Sequence, residues 1–265
     1  MMALRTILVP VALSPACAWA ARYSNRLARS LEAALIFLHV TGRPGHDLKD
    51  FLAAEIPGAS YRTVVLKGDP AERIVEFARK ECCDLILMPT HAHGRFRRFL
   101  LGSVTAKVLH DAACPVWTGV HHEDAPLADE AIIRSIVCAV DTDASCTGTI
   151  RQAQELAARF QARVKVIHAV AAADPTSDNV GEMELRRYLF GRAQARFSAL
   201  LDAAGLSAEV TLGGGPVAQV VRETALHEHA DLVVIGRGHT QCGLGRLRTN
   251  AYSIIRESPC PVLSI

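Results

Sequence analysis

The chain reads as two tandem α/β domains, each a five-stranded, mainly parallel sheet with helices on both faces. Two observations predict this. The first is a long internal repeat. Asp84-Leu85-Ile86-Leu87-Met88 precedes Cys114-Pro115-Val116, and Asp231-Leu232-Val233-Val234-Ile235 precedes Cys260-Pro261-Val262 at almost the same distance. Upstream, Ile7-Leu8-Val9-Pro10-Val11 leads to His39 as Ile136-Val137-Cys138-Ala139-Val140 leads to His168. The two His lie 129 positions apart, as do Val11 and Val140. Solenoid units repeat every ~20–50 residues, so this period marks a duplicated domain. The second observation is the alternation of short apolar runs with amphipathic stretches in each copy. Such alternation implies parallel strands joined by right-handed crossovers.

In the first copy, strands are expected at 4–11, 34–41, 61–67, 84–89 and 115–120, with helices at 15–33, 70–81 and 102–111. The second copy gives strands at 134–141, 163–170, 208–213, 231–236 and 261–265, with helices at 144–161, 216–229 and 250–258. Ser14, before Pro15, and Asp143 are the expected N-caps of the first helix in each copy. Asp69-Pro70-Ala71-Glu72 places an acidic cap, a proline at the first helical position and a Glu in capping-box spacing. Gly215-Pro216 keeps the proline and drops the box. The second copy also carries a longer helical stretch near 178–204, with Leu185, Leu189, Phe197 and Leu201 at helical spacing. The polar run that holds Pro126 is the expected linker, giving domains 1–121 and 131–265 joined by 122–130.

Composition agrees. The 265 residues suit two domains of about 130 each, and half of them are apolar. A net charge of +2 demands neither a nucleic-acid nor a membrane partner. The eight Cys form no C-x-x-C pair, and adjacent Cys82 and Cys83 cannot readily bridge each other. Reduced thiols and a cytoplasmic location are the expectation. Arg5 and the apolar run after it resemble a short leader, but the same element recurs at 134–141, mid-chain, so 4–11 is read as a first strand. No apolar run reaches the ~20 residues a membrane span requires.

Open parallel sheets bind ligands beyond the carboxyl ends of their strands, where strand order reverses. Strands one and four of each copy should flank that crevice. The loop after strand four feeds a helix N-terminus, which favours anions through free N–H groups and the helix dipole. Ile7 to Val11, Leu38-His39-Val40, Gly68-Asp69-Pro70-Ala71-Glu72, Asp84 to Met88, and Leu100-Leu101-Gly102-Ser103-Val104 running to Cys114-Pro115-Val116 together resemble the universal stress protein family. The resemblance covers nearly all of both halves and identifies a tandem two-domain member. It implies a nucleotide-binding fold of the adenine nucleotide alpha hydrolase type and dimerisation through the last strand. It also implies ATP as cofactor, with Mg accompanying bound ATP.

ATP-binding members carry an Asp ending strand one and a loop of pattern G-x2-G-x9-G-[ST] after strand four. Glycines let the backbone approach phosphate closely, and their N–H groups donate to its oxygens. Here the pattern is broken in both copies. The first has Pro89, Ala92 and Gly102 at the glycine positions, Ser103 retained, and Ala12 for the Asp. Pro89 has no N–H to donate. The second has Gly236, His239 and Thr249, then Asn250, with Asp141 retained and Tyr252 where the first has Thr105. The contact positions the resemblance implies are therefore Asp141, Gly236, Val40, Gly102, Ser103 and Thr105, with Asp141 the best single candidate. Gly102, Ser103 and Gly236 read equally as turn and cap residues.

Basic residues in the two loops, His91, His93, Arg95, Arg97 and Arg98, then Arg237, His239, Arg246 and Arg248, can bind an anion by charge or stand solvated. His39 and His168 have no second ligand at metal spacing and read as structural. No nucleophile, acid–base or metal constellation is present, so no catalytic residue is assigned. The expected function is a cytoplasmic regulatory binding protein with degenerate nucleotide sites and weak or no ATP binding. Its two domains would pack as a pseudo-dimer, a homodimer could form, and the protein partners are unknown. The alternatives are an ATP binder with one working site and slow hydrolysis, and a binder of another anionic ligand.

Overall fold

The computed structural model describes residues 4–41, 48–89, 101–119, 133–171, 179–237 and 246–265; of residues 15, 16 and 246–249 only the backbone is described. The chain divides into two compact units, one built from residues up to 132 and one from Ile133 onward. The linker expected at 122–130 lies outside the described residues.

The first unit runs β1 (Thr6–Pro10), α1 (Pro15–Leu31), β2 (Ala34–Val40), α2 (Leu48–Glu55), β3 (Arg62–Leu66), α3 (Pro70–Lys80), β4 (Leu85–Met88), α4 (Ser103–Asp111) and β5 (Val116–Thr118). Its strands lie in the order β3-β2-β1-β4-β5, with parallel pairing throughout. The second unit runs β6 (Ser135–Ala139), α5 (Cys146–Phe160), β7 (Arg163–Val170), α6 (Val180–Ala204), β8 (Val210–Gly214), α7 (Val217–His227), β9 (Leu232–Ile235), α8 (Arg246–Glu257) and β10 (Val262–Ser264). Its order is β8-β7-β6-β9-β10, the same topology. The register is also repeated: Thr6 pairs with Ala34 and Ser135 with Arg163, each 28 residues on. In both units the chain doubles back between the first strand and the fourth, so the switch point falls between β1 and β4, and between β6 and β9.

The central strands are apolar on both faces, as a sheet covered twice requires. Ile7, Leu8, Val9, Leu85, Ile86 and Leu87 are wholly buried, as are Ile136, Val137, Leu232, Val233 and Val234. Each such side chain contributes about 1.5–3 kcal/mol. In the first unit α1 packs with α2 and α3 with α4, and in the second α5 packs with α6 and α7 with α8, one pair per face.

The Asp that precedes the fourth strand in both copies has a structural role that strand pairing explains. Asp84 accepts from the backbone N–H of Arg5 and Thr6, both at 2.9 Å. Asp231 accepts from Arg134 and Ser135 at 2.7 and 3.0 Å. Each carboxylate pins the start of the first strand to the start of the fourth. Gly68 and Gly215 turn the chain toward the proline-led helices with φ of 131° and 117°, a conformation that requires glycine.

Several local expectations change. The helix α2 was not expected; its only periodic signal is Leu48, Leu52 and Ile56, all buried. Ser14 occupies the N-cap position of α1, but its side chain makes no cap bond and its Oγ is buried without a partner. Asp143 precedes α5 by too much to be its cap. Ser145 holds that position, and Asp143 instead accepts from the Ser145 N–H at 2.8 Å and from its hydroxyl, forming a turn. Asp69 does cap α3, accepting from Glu72 N–H at 3.0 Å. Glu72 does not return the bond; its Oε1 takes Lys107 Nζ at 2.9 Å. That backbone N–H, with Lys107 nearby, holds the Asp69 carboxyl below its usual value. Pro216 sits at the N-cap of α7 rather than inside it. The last helix, α8, begins at Arg246, four residues before the expected 250.

Candidate functional site

At the switch point of the second unit lies a crevice with about 710 Å³ of non-protein space, open to solvent. The cavity proper is only about 100 Å³, smaller than most small-molecule sites. The end of β6 contributes Val140 and Asp141, β7 contributes His168 and Ala169, and α5 contributes Cys146 and Thr149. Gly236 follows β9, and Asn250 comes from α8. Among the predicted site residues the structure therefore brings Asp141 and Gly236 together. His168, Cys146, Thr149 and Asn250 line the same space but were not singled out for it. Cys146 could have been found in the repeat, since it lies 129 residues from Cys17.

The two His have one role. His39 Nδ1 donates to the Val11 carbonyl at 2.8 Å, and His168 Nδ1 donates to Val140 at 2.9 Å. Each ties the end of the second strand to the end of the first. His168 also meets the Phe197 ring edge-on at 5.2 Å. Structural use, as the sequence suggested, accounts for both.

Two carboxylates, Asp141 and Asp143, mark the β6 end of the crevice, with Arg196 bonded to the Thr142 carbonyl beside them. Burial first, then the Asp143 and Asp141 carboxylates, push the Cys146 thiol up. Asp141 is exposed and accepts from the Thr142 N–H at 2.7 Å through one carboxylate oxygen. This end suits hydrogen-bond donors such as hydroxyls or amines, not phosphate. In the first unit the same place holds Ala12, whose N–H donates to Cys17 Sγ at 3.1 Å.

Gly236 has a packing reason to be glycine. A Cβ there would lie 2.8 Å from Thr149 Oγ1. The corresponding pair in the first unit is Pro89 and Ala20, so a larger residue after strand four accompanies a smaller one on the first helix.

The start of the following helix also differs between units. In the first, Gly102 is the N-cap of α4 and Ser103 its first residue, and Ala106 N–H bonds the Gly102 carbonyl at 2.8 Å. The N–H groups of Ser103, Val104 and Thr105 thus lack intrahelical partners. In the second, α8 starts at Arg246, so Thr249 and Asn250 are its fourth and fifth residues. A fifth-position N–H bonds back into the helix and cannot donate to a ligand. Arg246 and Arg248, read as loop residues, are helical; residues 90–100 and 238–245, with the remaining loop cations except Arg237, lie outside the described residues. The Thr105 hydroxyl donates to the Pro89 carbonyl at 3.2 Å, closing β4 onto α4. Val40 ends β2, half-buried and paired with Leu66. Among the described residues no group of three His, Cys, Asp or Glu is placed to hold a metal, and no helix is long and apolar enough to cross a membrane.

The fold agrees with comparisons to known proteins. Universal stress protein MJ0531 of Methanocaldococcus jannaschii is 48% identical over 63 residues, 24% of this chain and 37% of the relative. A universal stress protein of Methanothermobacter thermautotrophicus is 41% identical over 68 residues, 26% of this chain. The chain thus matches 37% and 46% of the length of these relatives. Among solved structures, the functionally unknown protein PA1789 from Pseudomonas aeruginosa PAO1 has a TM-score of 0.71 at 22% identity, covering 100% of this chain and 93% of its own. A universal stress protein from Archaeoglobus fulgidus has a TM-score of 0.66 at 18% identity, covering 100% of this chain and 97% of its own. At these identities the structures attest to the fold alone. The universal stress protein family model matches residues 43–118 and 133–265, most of both units. The chain belongs to the universal stress protein family.

Proposed function

We propose that this chain is a regulatory binding protein of the stress response, working in the cytoplasm, with degenerate nucleotide sites. On this reading the first unit binds no ATP, and the second holds an adenine nucleotide weakly by its nucleoside end. The observation that carries the proposal is the mismatch between the two ends of each crevice. The first unit has N–H groups without intrahelical partners at the start of α4 but Ala12 at the end of strand one. The second has Asp141 but an α8 that begins about a turn early, engaging the N–H of Asn250. A hydrogen bond to a charged group contributes roughly 1.5–3 kcal/mol. Loss of two or three such bonds costs about 3–9 kcal/mol as an upper range, enough to move a micromolar site to millimolar. Free cysteines throughout the described residues fit a reducing compartment.

Isothermal titration with ATP, ADP and AMP, with and without Mg, tests this. Weak binding is expected, with ATP and AMP within about tenfold of each other because the phosphates gain little. The heat should vanish in Asp141→Ala. ATP bound a hundredfold tighter than AMP would sink the proposal. A second reading is favoured by the retention of Asp141 and Gly236 around a formed crevice. It makes the second unit a working ATP site with slow hydrolysis, Mg entering only with the nucleotide. Phosphate release that depends on Mg and on Asp141 would support that reading over the first.

A further inference from the structure

The helix α6 is longer than the fold requires. In the first unit the same connection is closed by α2, eight residues whose Leu48 and Leu52 are buried. In α6 the residues that pack into the core are Ala193, Phe197 and Leu201, all in its C-terminal half. Among the described residues six large apolar side chains are exposed, and four of them sit on the first three turns of α6: Val180 at 71%, Met183 at 47%, Leu185 at 49% and Tyr188 at 59%. A shallow groove runs beside them between α6 and β8, lined by Met183, Arg186, Arg187, Phe190 and Leu212. The strand β8 is the outer strand of its unit's sheet. Short helical segments without tertiary packing are marginal in water, and apolar surface displayed around a helix indicates something that covers it.

The charges of this segment say what would fit. Glu182 and Glu184 lie in its first turns, and Arg186, Arg187 and Arg192 follow. Two such helices laid antiparallel bring each acidic end against the other's basic stretch, while parallel packing would oppose like charges. Antiparallel self-complementarity is the signature of a twofold interface, in which one patch meets its own copy.

We propose that the N-terminal half of α6 docks against the same segment of a second copy of this chain, antiparallel, forming a homodimer apart from any contact through the last strands.

Sedimentation velocity of the full chain from 1 to 100 µM tests this, with far-UV circular dichroism to verify the helix. The expected result is a concentration-dependent dimer. Reversing the arginines alone (Arg186→Glu with Arg187→Glu) should weaken it at least tenfold, as should reversing the acids alone (Glu182→Arg with Glu184→Arg). Combining all four should restore it, which a merely unfolded helix could not do. A photo-crosslinking residue at Tyr188 should capture the α6 of the other copy. Three outcomes would overturn the proposal: a monomer at 100 µM, a dimer indifferent to both reversals, or a monomer that instead pellets with vesicles of anionic lipid.

Discussion

Replacing Gly236 by Ala separates two reasons for a glycine at the crevice. If the glycine is there for packing, its new Cβ must displace Thr149 Oγ1, 2.8 Å away on a buried, β-branched side chain of α5. Overpacking of this kind costs about 1–3 kcal/mol. The φ of Gly236 lies outside the left-handed range, so Ala adds no backbone strain. Without the clash, the lost freedom of the unfolded chain should even favour Ala by about 0.4–1 kcal/mol. Thr149→Ala removes the atom in the way, imitating Ala20 of the first unit. The double-mutant cycle should therefore return a favourable coupling of about 1–2 kcal/mol. Both tryptophans, Trp19 and Trp117, lie in the first unit, so fluorescence follows that unit while far-UV circular dichroism follows both. Urea unfolding read by the two probes isolates the second unit and avoids a single two-state fit to a two-unit chain. Equal costs of Gly236→Ala with and without Thr149 would refute the packing argument.

Two further results follow from the same geometry. Asp84→Ala should lower the stability of the first unit by about 2 kcal/mol, and Asp231→Ala that of the second by a similar amount, since each carboxylate accepts two backbone N–H groups. Thermal unfolding read by the two probes should show each effect in its own unit; a shift in the other unit would contradict it. The buried thiols predict an alkaline loss of stability. Burial pushes Cys138 and Cys260 from 9.0 up to about 12. The unfolded thiols ionise first, so the stabilisation is complete below pH 9 and is lost as pH rises from 9 toward 12. Urea midpoints across that range should fall, and fall less steeply in Cys138→Ala. An unchanged slope in that variant would count against burial as the cause.

Much of the fold was legible because the central strands are continuous apolar runs and the repeat shows them twice. Leu85 to Met88 and Leu232 to Ile235 could be placed from this alone. The helix α2 escaped because eight residues with two buried leucines give too short a period to stand out. The roles of Asp84 and Asp231 could not be read because they depend on which strand lies beside which. At the site, the family resemblance singled out Asp141, which lines the crevice of the second unit. The closeness of Gly236 to Thr149 was not legible, because it joins residues on separate elements. The early start of α8 was also hidden, since the motif's spacing counts residues and says nothing of where a helix begins. That start changes the meaning of Asn250, which stands at the motif's Ser/Thr position in sequence and is an interior helical residue in structure.

The central claim is that neither unit carries a whole phosphate-binding site. Equilibrium dialysis of the full chain against labelled ATP with Mg tests it most directly. The account predicts at most one ATP per chain, with a dissociation constant of hundreds of micromolar or weaker, about −5 kcal/mol or less favourable. One or two ATP per chain held at micromolar or tighter would contradict it.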